Sequence, residues 1–325
     1  MSSKRSSVSL GLSLIARDEE RDLLRLLTSI EGAFDQVALL DTGSTDRTVS
    51  IFHDWAEKES LPLGYVVDEY EWCDDFAAAK NAADSLLETD WICSADADEA
   101  IQGATLLRSI VQGVPANIQL LAAEWRPFPG SDFGFPLNLL SCRGAATWVG
   151  RVDATKRLRA GAGDAHGMID PARVTWVHYR HPHRASSNDR NIRIWRKWIR
   201  EEPSDPTPYK EWAIHELTMN DDPGAAARLL RQYLARVEGR VPYMALRAVD
   251  DLERCSDGVP DDTKQLVSLL IRTPSARVDV PLYLLQLILS QTEPLDCESV
   301  PVFPERGGGE SATATPPLLT ALTRG

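Results

Sequence analysis

Val37-Ala38-Leu39-Leu40-Asp41-Thr42-Gly43-Ser44-Thr45-Asp46 is the stretch that decides the fold. Its apolar start reads as a short buried strand that stops at an acid. The residues after Asp41 are those that leave a strand and cap a helix, and a helix is expected through Glu57. Outward from this stretch the same alternation repeats. Val8 to Ile15 reads as a strand, and Glu19 to Ile30 as a helix with acids in its first turn and leucines at Leu23, Leu24, Leu26 and Leu27. Gly64 to Val67 is a third strand, Phe76 to Leu87 an alanine-rich helix and Trp91 to Ala95 a fourth strand. Strands and helices that alternate at about 30-residue spacing predict an α/β fold. Its sheet is expected to be mostly parallel, with helices on both faces.

Ligands of such sheets bind outside the carboxyl ends of the strands. Three acidic sites fall there: Arg17-Asp18-Glu19 after the first strand, Asp41 after the second, and Asp96-Ala97-Asp98-Glu99 after the fourth. Converging carboxylates are costly unless a cation or hydrogen-bond donors meet them. In an extended segment alternate side chains face the same way, so Asp96 and Asp98 suit one hard divalent ion, Mg²⁺ or Mn²⁺. Phosphate oxygens and water would complete its shell. Read alone, the triplet suits an acidic loop or helix cap equally well.

Four blocks in succession resemble the signatures of family 2 glycosyltransferases of GT-A fold. They are Ser13-Leu14-Ile15-Ala16-Arg17-Asp18-Glu19-Glu20, Leu39-Leu40-Asp41-Thr42-Gly43-Ser44-Thr45-Asp46-Arg47-Thr48, Glu71-Trp72-Cys73-Asp74-Asp75-Phe76-Ala77-Ala78-Ala79-Lys80-Asn81 and Trp91-Ile92-Cys93-Ser94-Ala95-Asp96-Ala97-Asp98-Glu99. The resemblance implies a Rossmann-like GT-A domain and a nucleotide-sugar donor, with UDP favoured. By the same resemblance Asp41 would hydrogen-bond the donor base, in a pocket lined by Ala16, Arg17 and Glu19. Lys80 and Asn81 would approach the diphosphate or sugar, Asp96 the ribose or sugar, and Asp98, from the DXD motif, would hold Mn²⁺ or Mg²⁺. Val177-His178-Tyr179 stands where many such enzymes supply a histidine, which implies His178 as a second metal ligand. Arg190-Asn191 resembles a family pair near the donor.

Trp148-Val149-Gly150-Arg151-Val152 is similar to a family stretch that normally continues His-Glu, but Asp153-Ala154 stands there instead. Inverting members use a carboxylate to deprotonate the acceptor hydroxyl. Asp153 is the nearest carboxylate and the candidate base; a surface Asp in a turn is the plain alternative. The departure also keeps alive a non-catalytic nucleotide-sugar or carbohydrate-binding module. A nucleotidyltransferase would need a glycine-rich, basic N-terminal loop that the sequence lacks, and the absence of GxGxxG and Walker patterns removes dehydrogenases and kinases.

The 325 residues, 43% hydrophobic and 26% charged, suit a globular chain with a sizeable core. Four regions are expected: a flexible start over 1–7, the GT-A domain over 8–200, a helical region over 201–302 and a disordered tail over 303–325. Five scattered cysteines without CxxC spacing point to reduced thiols. No signal peptide and no membrane span are read, so a cytoplasmic location without membrane insertion is expected. The net charge of −13 opposes a general nucleic-acid binder, although Arg173 to Arg200 holds eight Lys or Arg against one acid. There Arg190, Arg193 and Lys197 share one face of a helix expected over Ser187 to Arg200, and Ile194 and Trp198 lie on another. The cations read either as solvated charge or as a phosphate-facing wall. A protein or a soluble glycan is the favoured acceptor, modified DNA the runner-up, and self-association is left open.

Overall fold

The computed structural model describes residues 8–160, 166–179, 186–220 and 222–236. The helices read from Tyr243 onward, His181, His183 and the terminal segments 1–7 and 303–325 lie outside the described residues. The chain begins as expected, alternating β1 (Leu10–Ala16), α1 (Leu23–Ser29), β2 (Gln36–Asp41), α2 (Thr48–Ala56), β3 (Tyr65–Glu69), α3 (Phe76–Ser85) and β4 (Trp91–Ser94). These four strands lie in the order β3-β2-β1-β4, all parallel. Leu10, Leu12 and Leu14 alternate along β1 into one core with Leu23, Leu26 and Leu27 of α1 and Phe52 and Trp55 of α2. The other face carries α3, whose end packs Leu87 on Ala38 and Ile92. Helices therefore cover both faces.

The second half of the sheet is mixed. β5 (Glu99–Gln102) is followed by α4 (Leu107–Gly113), β6 (Leu120–Arg126), β7 (Phe135–Cys142), β8 (Ala146–Val149), β9 (Thr155–Leu158), β10 (His166–Met168) and β11 (Thr175–His178). The order runs on from β4 through β7, β6 and β11 to β5, with β10 against β6 and β8-β9 as a separate hairpin. β7 is antiparallel to both β4 and β6, and β5 is antiparallel to β11. The α/β Rossmann-like half is the GT-A arrangement expected from the sequence; the antiparallel pairing of the second half is added by the structure. α5 (Ser186–Glu201), α6 (Thr207–Met219) and α7 (Pro223–Leu234) follow. Among the described residues no helix is long and apolar enough to cross a membrane.

Two local departures matter for the site. The helix expected from Glu19 begins only at Leu23, because the loop before α2 captures the backbone of 18–20. Asp18, Glu19 and Glu20 donate their N–H groups to Ser44 Oγ, Thr48 Oγ1 and Asp46 Oδ2. Residues 96–98 are not part of a strand either. Glu99 N–H closes a turn onto the Asp96 carbonyl at 3.0 Å, since the chain must reverse into β5. The same-face argument for Asp96 and Asp98 therefore fails, and the two carboxylates point at different partners.

Candidate active site

The parallel half brings β1, β2 and β4 to a common carboxyl edge, where the loops after them meet. Asp41 ends β2, is only 7% exposed, and accepts the Ser44 N–H on both oxygens at 3.1 Å. Its neighbour Ala16 is buried at the end of β1, with its carbonyl accepting from Thr42 N–H (2.9 Å) and Thr42 Oγ1 (3.1 Å). Arg17 leaves the sheet with an exposed side chain near Asp18, 4.0 Å away. Asp18 takes a left-handed φ of 55° and accepts from Thr45 N–H at 2.7 Å. These bonds tie the loops after β1 and β2 into one wall, with Glu19 at its rim.

The 96–99 turn forms the facing side. Asp96 is half exposed and meets Lys80 Nζ, from α3, at 2.5 Å. Burial opposes the charge of Lys80, but Asp96, with Glu99 and Asp84 behind it, holds the ammonium proton above its ordinary range. Glu99 points inward, accepting from Trp125 Nε1 at 2.5 Å and from Asp96 N–H at 2.9 Å. Burial, then the charge of Asp96, pushes its carboxyl up to about 8.

Asp98 and His178 are brought together. Asp98 Oδ2 lies 3.1 Å from His178 Nε2, and the Asp98 carbonyl accepts Tyr179 N–H at 2.8 Å. The cause is the antiparallel register of β5 and β11, which sets His178 opposite Glu99. Trp125 stacks on the imidazole at 5.3 Å, and His178 Nδ1 is buried without a hydrogen-bond partner among the described residues. A carboxylate oxygen beside an imidazole nitrogen is a donor set that fits Mn²⁺, and Mg²⁺ through the carboxylate. An ionised carboxylate only accepts, so the contact with Asp98 places a proton on Nε2 that a bound metal ion would displace. Burial works against a charged imidazole, but Asp98, then Glu99 and Asp96, outweigh it and raise the His178 pKa.

Asn81 is used differently from what the sequence suggested. Its Nδ2 donates to the Trp148 carbonyl (3.0 Å), while its Oδ1 accepts from Trp148 N–H (2.9 Å) and Thr147 Oγ1 (3.0 Å). The amide is thereby engaged in clamping β8 to α3. Sequence reasoning also missed Lys156 in β9, whose side chain is wholly buried. Its Nζ reaches Asp84 Oδ2 at 3.0 Å and Ser94 Oγ at 3.1 Å. Asp84 accepts in addition from Ser13 Oγ (2.5 Å) and Trp148 Nε1 (3.1 Å), so one carboxylate joins β1, β8, β9 and α3 beneath the site. Thr155-Lys156-Arg157 carries no local signal of burial; only the hairpin's position supplies it.

The basic face of α5 is turned onto the loop before α3. Arg190 lies over the Phe76 ring at 4.9 Å, Arg193 pairs with Asp74 at 2.8 Å, and Lys197 donates to the Cys73 carbonyl at 2.7 Å. Ile194, Trp195 and Trp198 are buried with Val152 on the opposite side, as the amphipathic pattern required. Asp153 sits in the turn after β8 at a left-handed φ of 46°. That turn rests on the start of α3, because Phe76 N–H donates to the Arg151 carbonyl at 3.0 Å. Phe76 and Lys80 are one helical turn apart on the same face, so Arg190 and Asp96 both border the first turns of α3.

A family model described as glycosyl transferase family 2 matches residues 14–197, more than half of the chain and all of the site except the segments after it. The chain belongs to glycosyltransferase family 2. A TPR repeat-containing protein of Synechococcus elongatus is 39% identical over 101 residues, 30% of this chain and 23% of that one. An uncharacterized glycosyltransferase of Rickettsia conorii is 34% identical over 88 residues, covering 27% of this chain and 28% of its own. The matched stretch thus spans less than a third of each of these relatives. Among solved structures, TarS of S. aureus aligns with a TM-score of 0.46 at 11% identity, over 81% of this chain and 52% of that one.

Proposed function

We propose that this chain transfers a glycosyl group from a nucleoside diphosphate sugar, with UDP as the favoured nucleotide, to a hydroxyl acceptor with inversion at the anomeric carbon. The observation that carries the reading is the meeting of Asp98 with His178 at 3.1 Å beside the strand edge that ends in Asp41. A buried carboxylate suited to a nucleobase and a carboxylate–imidazole pair suited to a divalent ion on a diphosphate are the two ends of one donor.

Asp41, held by the Ser44 N–H, hydrogen-bonds the base, and the Ala16 to Glu19 segment closes over it. Asp98 and His178 would hold Mn²⁺ or Mg²⁺, and the ion, when bound, would neutralise charge on the leaving diphosphate. Lys80 keeps a positive charge directed at the same region, and Asp96 orients it while remaining open enough to meet the ribose or sugar. Arg190, braced on Phe76, faces the donor from α5. Asp153 takes the proton of the acceptor hydroxyl as that oxygen bonds to the anomeric carbon. The bond from that carbon to the diphosphate oxygen breaks, and its electron pair leaves with the nucleoside diphosphate.

A protein side chain or a soluble glycan remains the favoured acceptor. A modified-DNA acceptor loses its motive, since Arg193 and Lys197 are engaged with Asp74 and Cys73. Calorimetry of UDP and GDP, with and without Mn²⁺, tests the donor side. UDP is expected to bind, and to bind more tightly with Mn²⁺. No nucleotide binding in either condition rejects the proposal, while donor binding without any hydrolysis or transfer supports the binding-module alternative.

A further inference from the structure

Three side chains of α3 close on one indole, that of Trp148 in β8. Asn81 holds the Trp148 backbone from both sides, donating to its carbonyl at 3.0 Å and accepting its N–H at 2.9 Å. Asp84 Oδ2 accepts the indole N–H at 3.1 Å, and Asp84 is itself anchored by Lys156 at 3.0 Å and by Ser13. Backbone and ring edge are both tied, so the plane of the indole is set. The third side chain is Lys80, whose Nζ lies 4.7 Å from the centre of the Trp148 ring. Lys80 and Asp84 stand at i and i+4, so one stripe of α3 supplies both the cation over the ring and the acceptor at its edge. Trp148 is only 4% exposed, which takes much of this contact out of water.

The ring restrains Lys80 in a way that a second carboxylate could not. An ammonium has three N–H donors and no acceptor. Among the described residues Asp96 Oδ1 takes one of them, at 2.5 Å. The negative face of an aromatic ring attracts a cation but carries no net charge, so it holds the ammonium without cancelling its charge. A carboxylate in the ring's place would compete with a phosphate for the remaining donors. Lys156 Nζ approaches the same ring at 5.1 Å, but its side chain is wholly buried and its charge is answered by Asp84. Lys80 is the cation of the two that faces the half-open Asp96.

We propose that Trp148 is a positioning residue for the donor diphosphate: its indole face holds the Lys80 ammonium in place while leaving its charge to act on phosphate, and Asn81 and Asp84 fix the ring. Trp148 itself touches no substrate. The inference rests on the donor role proposed for Lys80, whereas the hold of the ring on the ammonium does not depend on that role.

Calorimetry of UDP and of uridine, both without metal, tests the role. In Trp148→Leu, UDP binding is expected to weaken by about 2- to 30-fold, the range of a cation–π contact from exposed to desolvated settings, with uridine binding unchanged. In a Lys80→Met background the same substitution should have no further effect on UDP. Because Trp148 is buried and Trp148→Leu removes its bulk, a second variant keeps the shape: Trp148 fluorinated on its benzo ring, placed by nonsense suppression. Fluorine withdraws charge from the ring face, so this variant should also lose UDP affinity and keep uridine affinity. Proton NMR with isotope-labelled lysine reads the contact directly. The ε-methylene signal missing from Lys80→Met should lie upfield in the wild type, shifted by the ring current, and return to the ordinary position in Trp148→Leu. UDP affinity unmoved by fluorination, equal losses for UDP and uridine, or an unshifted Lys80 methylene in the wild type would each overturn the proposal. If the wild type binds no UDP, the donor reading falls and the diphosphate role with it, and the methylene shift still decides whether the ring holds the ammonium.

Discussion

Asp98 and His178 are eighty positions apart in the chain and 3.1 Å apart in space. Neither residue belongs to the other's element: Asp98 lies in the turn leaving β4, and His178 ends β11. They meet because β5 runs back antiparallel along β11, which sets Glu99 opposite His178 and leaves Asp98 one step beyond. A divalent ion at this pair would replace an imidazole–carboxylate contact that the protein already makes.

Removing either member should therefore cost the metal-linked part of donor affinity. In Asp98→Asn and in His178→Ala, the tightening of UDP by Mn²⁺ is expected to fall by at least the ~10–100-fold that even outer-shell partners of a metal are worth. Metal-free UDP affinity should change much less, since Asp41 and its loop are untouched. Titration calorimetry with and without Mn²⁺ reads both quantities, and an unchanged Mn²⁺ effect in both variants would remove these residues from the metal site.

Lys156 and Asp84 should behave as a single structural unit. Lys156→Met leaves the partly buried Asp84 carboxylate without its cation, which is expected to destabilise the fold by up to about 3–5 kcal/mol. Adding Asp84→Asn to Lys156→Met should cost little more, because the charge needing compensation has been removed. Urea denaturation of the two single variants and the double one measures the coupling; strict additivity would contradict the pairing.

The Arg193–Asp74 contact should make a small, acid-sensitive contribution. Arg193 holds the Asp74 carboxyl below its ordinary value of 3.8, and Trp72 Nε1 adds a bond at 2.9 Å. A carboxyl whose folded-state value is depressed stabilises fully above 3.8 and loses that contribution as pH falls through the folded value. Arg193 is mostly solvent-exposed, so the contribution is expected at about 0.2–1 kcal/mol. Melting temperatures of wild type and Asp74→Asn should differ at pH 6 and converge as the pH falls below 4. A gap that widens on acidification would reverse the assigned sign.

Gly103 and Gly32 offer a matched pair. Both are left-handed, with φ of 76° and 68°, so an alanine at either is strained by about 1–3 kcal/mol. Only at Gly103 would the new methyl also strike backbone, lying 2.1 Å from the Arg173 carbonyl oxygen, whereas nothing stands within 4 Å at Gly32. Gly103→Ala should be the more damaging substitution by the overpacking cost of about 1–3 kcal/mol. Equal losses in thermal unfolding would show that the close approach of Arg173 relaxes freely.

Legibility followed the range of the interactions. The core strands of the first half could be read because runs such as Val37 to Leu40 are apolar over consecutive residues and end in turn-forming ones. Glu19 to Asp22 misled, because the helix pattern there was outweighed by bonds to Ser44, Asp46 and Thr48, some 26 to 29 residues ahead. β5, β8, β9 and β10 are three or four residues long, too short to carry a period. Asn81 sits correctly on α3, but helix position alone does not say whether its amide turns to a ligand or to β8.

What the sequence by itself determined was the kind of chain: alternating strands and helices, acids at strand ends, and the four blocks that mark family 2. These are properties of neighbouring residues, and short-range sterics, capping and burial write them locally. Tertiary structure alone decided which of those residues meet. It joined Asp98 to His178, buried Lys156 against Asp84 and turned the α5 cations onto residues 73–76. Strand order, register and helix docking are settled by the burial of the whole core, so contacts between distant residues leave no pattern in any one segment.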